Sequence, residues 1–226
     1  MKINFKRAFT LAEVLITLGI IGVVAAMTIP GLLTNIQNAH HRVAYKKAFS
    51  TLNQALRFTE EEGEISLDLS TSTVSNGSGH FTSQVGEIFK HMATHFYNAP
   101  TLCMNNNPDM CWECDNGEAG YISGSGAPDW LGCDKSSYAF IDASGIAYYL
   151  YYNNEYPILI DVNGKRKPNQ LGRDRFVLKF ANSLEPSNNY PSYIDSVQPL
   201  DDKINKNRWC PQGECYYKTW IQGEKK

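Results

Sequence analysis

Apolar residues fill one long segment near the N-terminus. Between Lys6–Arg7 and Pro30, the run Phe9–Ile29 carries a single charge, on Glu13. About 20 residues at about 1.5 Å each cover the hydrocarbon core of a bilayer. The length of the run therefore predicts a membrane-spanning helix. A carboxylate inside such a helix is costly in lipid, which marks Glu13 as a functional residue that needs a cationic partner.

After Pro30 the apolar residues recur at helical spacing with polar residues between them. They are Leu32, Ile36, Ala39, Val43, Phe49, Leu52 and Leu56. This pattern predicts an amphipathic helix over residues 31–62 that continues the apolar one, with a bend at Pro30. Gly63 is a typical helix stop signal. A second, short helix is expected over about Gln84–Tyr97, with a buried stripe of Val85, Ile88, Phe89, Met92 and Phe96.

The rest of the chain shows strand patterns separated by turn-rich segments. The predicted strands are Tyr138–Asp142, Gly145–Tyr152, Tyr156–Asp161, Phe176–Phe180 and, near the C-terminus, Cys215–Ile221. The first two form a hairpin, because Asp-Ala-Ser-Gly between them is a turn sequence. Residues 64–84 and 98–135 read as a surface loop and an irregular, cysteine-containing loop. The fold class is α+β, with a long N-terminal helix packed on a small antiparallel sheet.

Composition and charge place most of the chain outside the cytoplasm. The 226 residues carry a net charge of −2, which gives no general attraction for nucleic acid. Lys2, Lys6 and Arg7 keep the short N-terminus in the cytoplasm, so the segment after Pro30 is extracytoplasmic. All six cysteines fall in that segment, where an oxidising compartment favours disulfides.

Cysteine spacing singles out one pair and leaves the rest open. Cys210 and Cys215 are separated by Pro-Gln-Gly-Glu, which can close as a tight loop. Pairing among the other four stays unassigned: Cys103, Cys111, Cys114 and Cys133. Those four could also form a zinc site, but structural disulfides are the expected state of an exported segment.

The N-terminal segment resembles the class III signal of type IV pilins and type II secretion pseudopilins. It reads Lys6-Arg7-Ala8-Phe9-Thr10-Leu11-Ala12-Glu13. The resemblance covers about residues 1–60 and implies cleavage between Ala8 and Phe9 by a membrane prepilin peptidase, followed by methylation of the new amine. It also implies that Glu13 pairs with the N-terminus of a neighbouring subunit. Two positions depart from the family pattern: Ala8 stands where Gly is usual, and Ala12 replaces a bulkier apolar residue.

The resemblance gives the chain an expected organisation and role. It implies a leader over residues 1–8, a transmembrane and assembly helix over 9–30, its amphipathic continuation over 31–62, and a pilin-like extracytoplasmic domain over 63–226. The implied protein is a structural subunit of a filament and no enzyme, held in the bacterial inner membrane before assembly. Its partners are other pilin subunits, prepilin peptidase, the inner-membrane assembly platform and lipid. Gly19 and Gly22 permit close approach of neighbouring helices.

The loop after the third predicted strand is a candidate calcium site. Asp161, Asn163 and Asp174 supply oxygen ligands beside the turn residue Gly164, as a hard cation prefers. The segment lacks the full EF-hand pattern. The competing interpretation is a hairpin connection whose Asp and Asn side chains cap their own backbone turns. His91 and His95, four residues apart, could likewise bind a metal, although a solvated helix face is the default.

Two other classes of function remain open at this level. A general secretory signal cleaved after Ala26 would release a secreted protein such as a hydrolase, although Glu13 is unusual inside such a signal. A membrane-anchored binding module that does not polymerise could use the Tyr-rich strand 148–152 as a recognition surface. No nucleotide-binding loop, nucleophile elbow or metalloprotease motif occurs, so the sequence offers no positive reason for an enzyme.

Overall fold

The computed structural model describes residues 10–69, 81–96, 101–104, 111–112, 138–150, 157–167, 169–184 and 191–199. The chain divides into two units, residues 1–40 and 41–226. The helices are α1 (Leu11–Glu62) and α2 (Phe81–Thr94). The strands are β1 (Thr101–Met104), β2 (Tyr138–Ile141), β3 (Ala147–Leu150), β4 (Pro157–Asp161), β5 (Arg175–Ala181) and β6 (Ser196–Pro199). The α+β class predicted from the sequence is confirmed.

Helix α1 is one continuous element that ends where the sequence signals an end. It passes through Pro30 without interruption, and the predicted bend there stays a prediction. The next residue after the helix, Gly63, has φ +64°, a left-handed conformation that glycine adopts without strain. Glu62 is therefore the last helical residue, as predicted.

The six strands found in the described residues form one antiparallel sheet in chain order. The predicted hairpin is present, because β2 pairs with β3 across a turn in which Gly145 has φ +82°. Directly opposed residues form an apolar row across four strands: Phe140, Tyr148, Ile160 and Phe176. Each of these side chains is buried, so this row forms the floor of the core.

Two strands lie where the sequence pattern predicts none. Strand β1 occupies part of the segment 98–135 that was expected to be irregular, and it pairs with β2. Strand β6 lies in the Pro- and Asn-rich tail and pairs with β5. Both have four residues, too few for a clear alternation of apolar and polar positions. The predicted strand Cys215–Ile221 lies outside the described residues.

Helix α2 covers part of the apolar row. It begins three residues earlier than predicted, and all five residues of its predicted stripe are buried. The rings of Phe89 and Phe96 lie 5.2 and 4.9 Å from the Phe140 ring. A Cβ at Gly86 would lie 2.3 Å from the Tyr138 ring, so the absence of a side chain there lets the helix approach the sheet. Aromatic packing therefore holds α2 on the sheet.

The second half of α1 packs on the same sheet. The Tyr45 and Phe176 rings stack with 4.2 Å between their centroids. The side-chain amide of Asn53 donates to the Val197 carbonyl at 3.2 Å, and its oxygen accepts from the Val197 N–H at 3.0 Å. Asn53 thus satisfies backbone groups on the edge strand β6, which would otherwise lack partners.

The segment after α1 was expected to be a surface loop, but part of it is buried in the core. Leu67 and Leu69 are buried in the core. The Leu67 carbonyl accepts from the Ile194 N–H at 3.0 Å, and the Leu69 N–H donates to the Ser192 carbonyl at 2.7 Å. These bonds attach the segment to the stretch before β6. Because the bonded residues are more than 100 positions apart, no local sequence pattern predicts the contact.

Candidate functional site

The apolar half of α1 exposes its side chains along its length. The exposed large residues are Leu11, Val14, Leu15, Ile16, Leu18, Ile20, Ile21, Val23, Val24, Met27, Ile29, Leu32, Leu33 and Ile36. Among the described residues, α1 is the one helix that by length and composition alone could cross a membrane. A helix apolar on every side needs lipid or other helices around it, because burial of that surface is favourable. This half of α1 therefore fits membrane anchoring.

Thr10 and Glu13 form a capping box at the start of α1. The Thr10 backbone N–H and its hydroxyl each donate to Glu13 Oε2 at 2.9 Å. In return the Glu13 N–H donates to the Thr10 hydroxyl at 3.2 Å. This reciprocal pairing satisfies donors that the first turn of a helix leaves without partners. The sequence signal for the capping box is a Thr three residues before a Glu. The cost of a carboxylate in lipid marks Glu13 as functional but does not reveal its role as a cap.

The capping box leaves the charge of Glu13 without a counterion. In the described part of the chain only Thr10 donates to this carboxylate, and both bonds end on Oε2. No cation among those residues forms an ion pair with it. A cationic partner for Glu13 must therefore come from outside the described residues or from another molecule.

The threonine hydroxyls of this half form hydrogen bonds with backbone carbonyls of the same helix. Thr17, Thr28 and Thr34 each donate to the carbonyl four residues earlier, at 2.9 to 3.0 Å. For Thr34 that carbonyl belongs to Pro30, which lies inside the helix. Polar groups in hydrocarbon must find partners within the protein, so these internal bonds suit a lipid environment.

The remaining predicted assembly residues have no contacts that test their role. A Cβ at Gly19 or at Gly22 would meet no described atom within 4 Å. Close approach of another helix at these glycines therefore stays a prediction. The processing residues Ala8 and Phe9 lie outside the described residues.

The predicted calcium loop connects β4 to β5, and its first ligand candidate is engaged in a buried ion pair. Asp161 Oδ2 accepts from Arg175 Nε at 2.8 Å, and Oδ1 accepts from the Asn163 N–H at 3.2 Å. The Arg175 guanidinium lies 4.6 Å from the Trp112 ring centre. Burial raises the pKa of the Asp161 carboxyl to about 7, although the Arg175 charge opposes this shift. Asp161 therefore has a structural partner in the core.

The second carboxylate of the loop caps backbone turns. Asp174 Oδ1 accepts from the Gln170 N–H at 2.6 Å. Its Oδ2 accepts from the Asn169 N–H at 2.8 Å and from the Asn163 side-chain amide at 3.0 Å. The fold thus brings Asn163 and Asp174 together, in the arrangement that the capping interpretation describes.

Calcium binding at this loop stays a prediction. All four carboxylate oxygens of Asp161 and Asp174 accept hydrogen bonds from N–H groups, which a cation would have to displace. Asn163 Oδ1, by contrast, is buried and accepts no hydrogen bond from the described residues. A thermal shift on addition of Ca²⁺ is the measurement that decides it.

The cysteines that the structure describes form a disulfide. Cys103 on β1 is bonded to Cys111, so neither is a zinc ligand and the four-cysteine zinc alternative is wrong for this pair. The adjacent Trp112 is buried and stacks on Tyr149, with 5.2 Å between ring centres. The bridge therefore helps to place a large aromatic side chain over the sheet. The other four cysteines, including the predicted pair Cys210 and Cys215, lie outside the described residues.

The described part of the Tyr-rich strand does not form the recognition surface that a binding module would need. Tyr148 and Tyr149 are fully buried, one on each face of β3. Period-2 alternation places adjacent residues on opposite faces, and here both faces are covered. Tyr151 and Tyr152 lie outside the described residues. The prediction of a tyrosine surface is therefore wrong for the first two residues.

Comparison with known proteins identifies the N-terminal segment. Residues 3–29 match the profile of a family described as the prokaryotic N-terminal methylation motif. The segment is a prepilin-type signal. This signal marks precursors of type IV pilins and pseudopilins, which are structural proteins. No curated protein and no solved structure matches the chain. The matched residues include Phe9, Thr10, Leu11 and Glu13, which carry the resemblance, and Ala8, which departs from the family pattern.

Proposed function

We propose that the protein is a structural subunit, a minor pilin or pseudopilin, of a type IV pilus or a type II secretion pseudopilus. Prepilin peptidase removes residues 1–8, and the subunit then assembles through the apolar half of α1. The prepilin-type signal at residues 3–29 carries this proposal. The exposed apolar surface of the helix supports it, because a bundle of such helices buries that surface once lipid is left behind.

Glu13 is the residue that makes assembly specific. Its carboxylate has a capping role at Oε2 but no counterion in the described chain. Cleavage before Phe9 creates a cationic amine close to the start of the helix. Pairing of Glu13 with the amine of a neighbouring subunit satisfies both charges in a medium where an unpaired charge costs several kcal/mol. Such a pair also fixes the axial position of one subunit relative to the next.

The location follows from the same segment. Before assembly the helix lies in the inner membrane, with the basic leader in the cytoplasm and residues after Pro30 in the periplasm, in line with the positive-inside rule. The disulfide between Cys103 and Cys111 supports an oxidising environment for that part of the chain. Partners are other pilin-like subunits, the peptidase, the inner-membrane assembly platform and lipid.

The assignment to a minor subunit or pseudopilin rests on size and cysteine content. The chain has 226 residues and six cysteines, more than a minimal filament subunit needs. Whether the filament serves secretion, adhesion, twitching or DNA uptake depends on the machine that assembles it. The genes beside the one that encodes this chain identify that machine.

The test is the N-terminus and location of the mature protein. We expect a chain that begins at methylated Phe9 and is recovered in sheared filaments or with other pilin-like subunits. N-terminal sequencing and mass spectrometry of protein from cells measure the start directly. A chain that keeps residues 1–8, or that begins at Met27 after general signal-peptidase cleavage, contradicts the proposal.

A further inference from the structure

Three side chains of the types that can bind a metal ion meet where α1 and α2 end. Glu62 is the last residue of α1, His91 lies in the last turn of α2, and His95 follows that helix. Glu62 Oε2 lies 3.6 Å from His91 Nε2 and 3.4 Å from His95 Nε2. All three ligand atoms lie within 4.8 Å of one another. The sequence places the two histidines on one helix face, and only the fold adds the carboxylate.

The Thr59 hydroxyl oxygen offers an acceptor to His91 Nδ1, which favours a lone pair on Nε2, the nitrogen that faces this cluster. Thr59 donates its single hydroxyl proton to the Ala55 carbonyl at 3.0 Å. Toward His91 Nδ1, at 3.4 Å, the Thr59 oxygen therefore acts as an acceptor. Thr59 therefore suits a His91 ring with its proton on Nδ1, whereas Glu64 Oε2, 3.2 Å from Nε2, suits a proton on that other nitrogen. Metal binding at Nε2 requires the first tautomer and displaces Glu64 from this nitrogen. Metal-ligating histidines are held in place by such an outer hydrogen bond.

His95 presents a polar atom that lacks a hydrogen bond. Its Nε2 is buried and has no hydrogen-bond partner among the described residues. Glu62 Oε2 lies 3.4 Å away but not in hydrogen-bond alignment. The His95 side chain is only 13% exposed, so solvent satisfies this atom poorly. A buried nitrogen without a partner carries a desolvation penalty that a bound ligand would remove.

We propose that Glu62, His91 and His95 bind one divalent transition-metal cation of the Zn²⁺ type. A tetrahedral zinc site with bonds of ~2.0–2.1 Å places its ligand atoms about 3.3 Å apart. The two separations between nitrogen and Glu62 Oε2, 3.4 and 3.6 Å, are close to that value. Two imidazoles and one carboxylate suit zinc, whereas Ca²⁺ prefers oxygen ligands. The fourth position is left for water.

The competing interpretation of the cluster is a set of contacts between histidines and carboxylates that holds no metal. Glu64 Oε2 lies 3.2 Å from His91 Nε2, so a second carboxylate also faces this ring. The last turn of α1 contains no basic residue, and a cation there is favoured by the helix dipole. A bound metal ion would supply that charge. The two states are therefore separated by titration with a metal.

The experiment is a titration of the full-length chain, purified in detergent without reductant, with Zn²⁺ and separately with Co²⁺. We expect one zinc ion per chain by calorimetry and a tetrahedral Co²⁺ absorption spectrum that lacks thiolate charge transfer. Glu62→Gln and His95→Gln should each weaken Zn²⁺ binding more than about 100-fold, beyond the loss typical of an outer partner. Thr59→Val should weaken binding by about tenfold, because it removes the His91 acceptor and keeps the side-chain shape.

Two matched variants control for charge and for adventitious imidazole binding. Glu61→Gln removes a carboxylate from the same exposed helix end, and His40→Gln removes an exposed imidazole elsewhere on α1. Both should bind zinc as the natural chain does. The proposal is overturned if the natural chain binds no zinc, if Glu62→Gln and His95→Gln bind it unchanged, or if the Co²⁺ spectrum shows thiolate ligands.

Discussion

The two halves of α1 share one continuous backbone and differ in what surrounds their side chains. From Thr10 to His40 no side chain is buried. Beyond His41 a stripe is buried, made of Tyr45, Ala48, Leu52, Ala55, Leu56 and Thr59. The first half is apolar on all sides up to Ile29, and the second is apolar mainly on the side that faces the sheet. Backbone bonding alone therefore does not explain the difference, which lies in the distribution of apolar residues.

The comparison teaches that one helix serves two kinds of partner. The second half is stabilised by the chain's own sheet, through contacts such as Tyr45 on Phe176. The first half must obtain its stabilisation from lipid or from other subunits. A substitution in the first half should therefore change assembly, whereas one in the second half or in the sheet should change the stability of the folded domain.

The largest effect is expected at Glu13. Glu13→Ala should insert into the membrane and yet fail to assemble, because the intersubunit charge pair is lost. Glu13→Gln keeps an oxygen that can accept from Thr10 but carries no charge, so it should fail equally. Sheared-filament yield and membrane fractionation measure the two properties. Thr10→Ala is the control: it weakens the helix cap by about 0.5–2 kcal/mol, keeps the charge and should still assemble. Normal filaments from Glu13→Gln would show that Glu13 acts only as a helix cap and that its charge is not needed for assembly.

The next effect is expected in the sheet, at the buried pair of Arg175 and Asp161. Arg175→Met leaves the Asp161 carboxyl buried without its partner and removes the contact with Trp112. We expect a loss of about 3–5 kcal/mol in the free energy of unfolding, as for other broken buried pairs. Urea unfolding followed by tryptophan fluorescence measures it. The double variant Asp161→Asn/Arg175→Met should regain part of the loss, and an equally unstable double variant would contradict the pairing argument.

A matched pair of truncations sharpens the contrast between the halves of α1. Leu52→Ala removes a fully buried side chain and should lower the free energy of unfolding by about 2–5 kcal/mol. Ile20→Ala truncates a side chain that is 60% exposed and should leave that free energy within about 0.5 kcal/mol. Both are measured in the same detergent by urea unfolding. Equal destabilisation by the two changes would show that the halves are not distinct.

The smallest effect concerns Asp195, which lies just before β6. Burial alone would raise the pKa of this carboxyl, but hydrogen bonds from Ser183 and Ser196 lower it below its ordinary value. A lowered pKa means that the stabilisation is present above the unfolded-state pKa and is lost as the pH falls through the folded-state pKa. Asp195→Asn should therefore cost less than ~1 kcal/mol near pH 7, because solvent screens the site. Unfolding curves of both proteins should converge in acid.

Local sequence signals predicted the helices and the central hairpin well. The 52-residue α1 ends before Gly63 because a glycine with positive φ follows a run of good helix formers. The hairpin of β2 and β3 follows from a turn sequence between two apolar runs. Strands β1 and β6 were missed, because each has four residues and depends on a neighbour far along the chain. Their existence is decided by pairing, which local periodicity does not encode.

By itself, the sequence determined the prepilin-type signal, the apolar segment and the unusual position of Glu13, because each is a property of consecutive residues. Tertiary structure decided everything that depends on residues distant in the chain. It joined Arg175 to Asp161, placed Asn53 on the edge of β6, buried Tyr148 and Tyr149, and brought Glu62 to His91 and His95. The physical reason is that burial and partner distance arise only when separate elements pack together, and no local pattern records them.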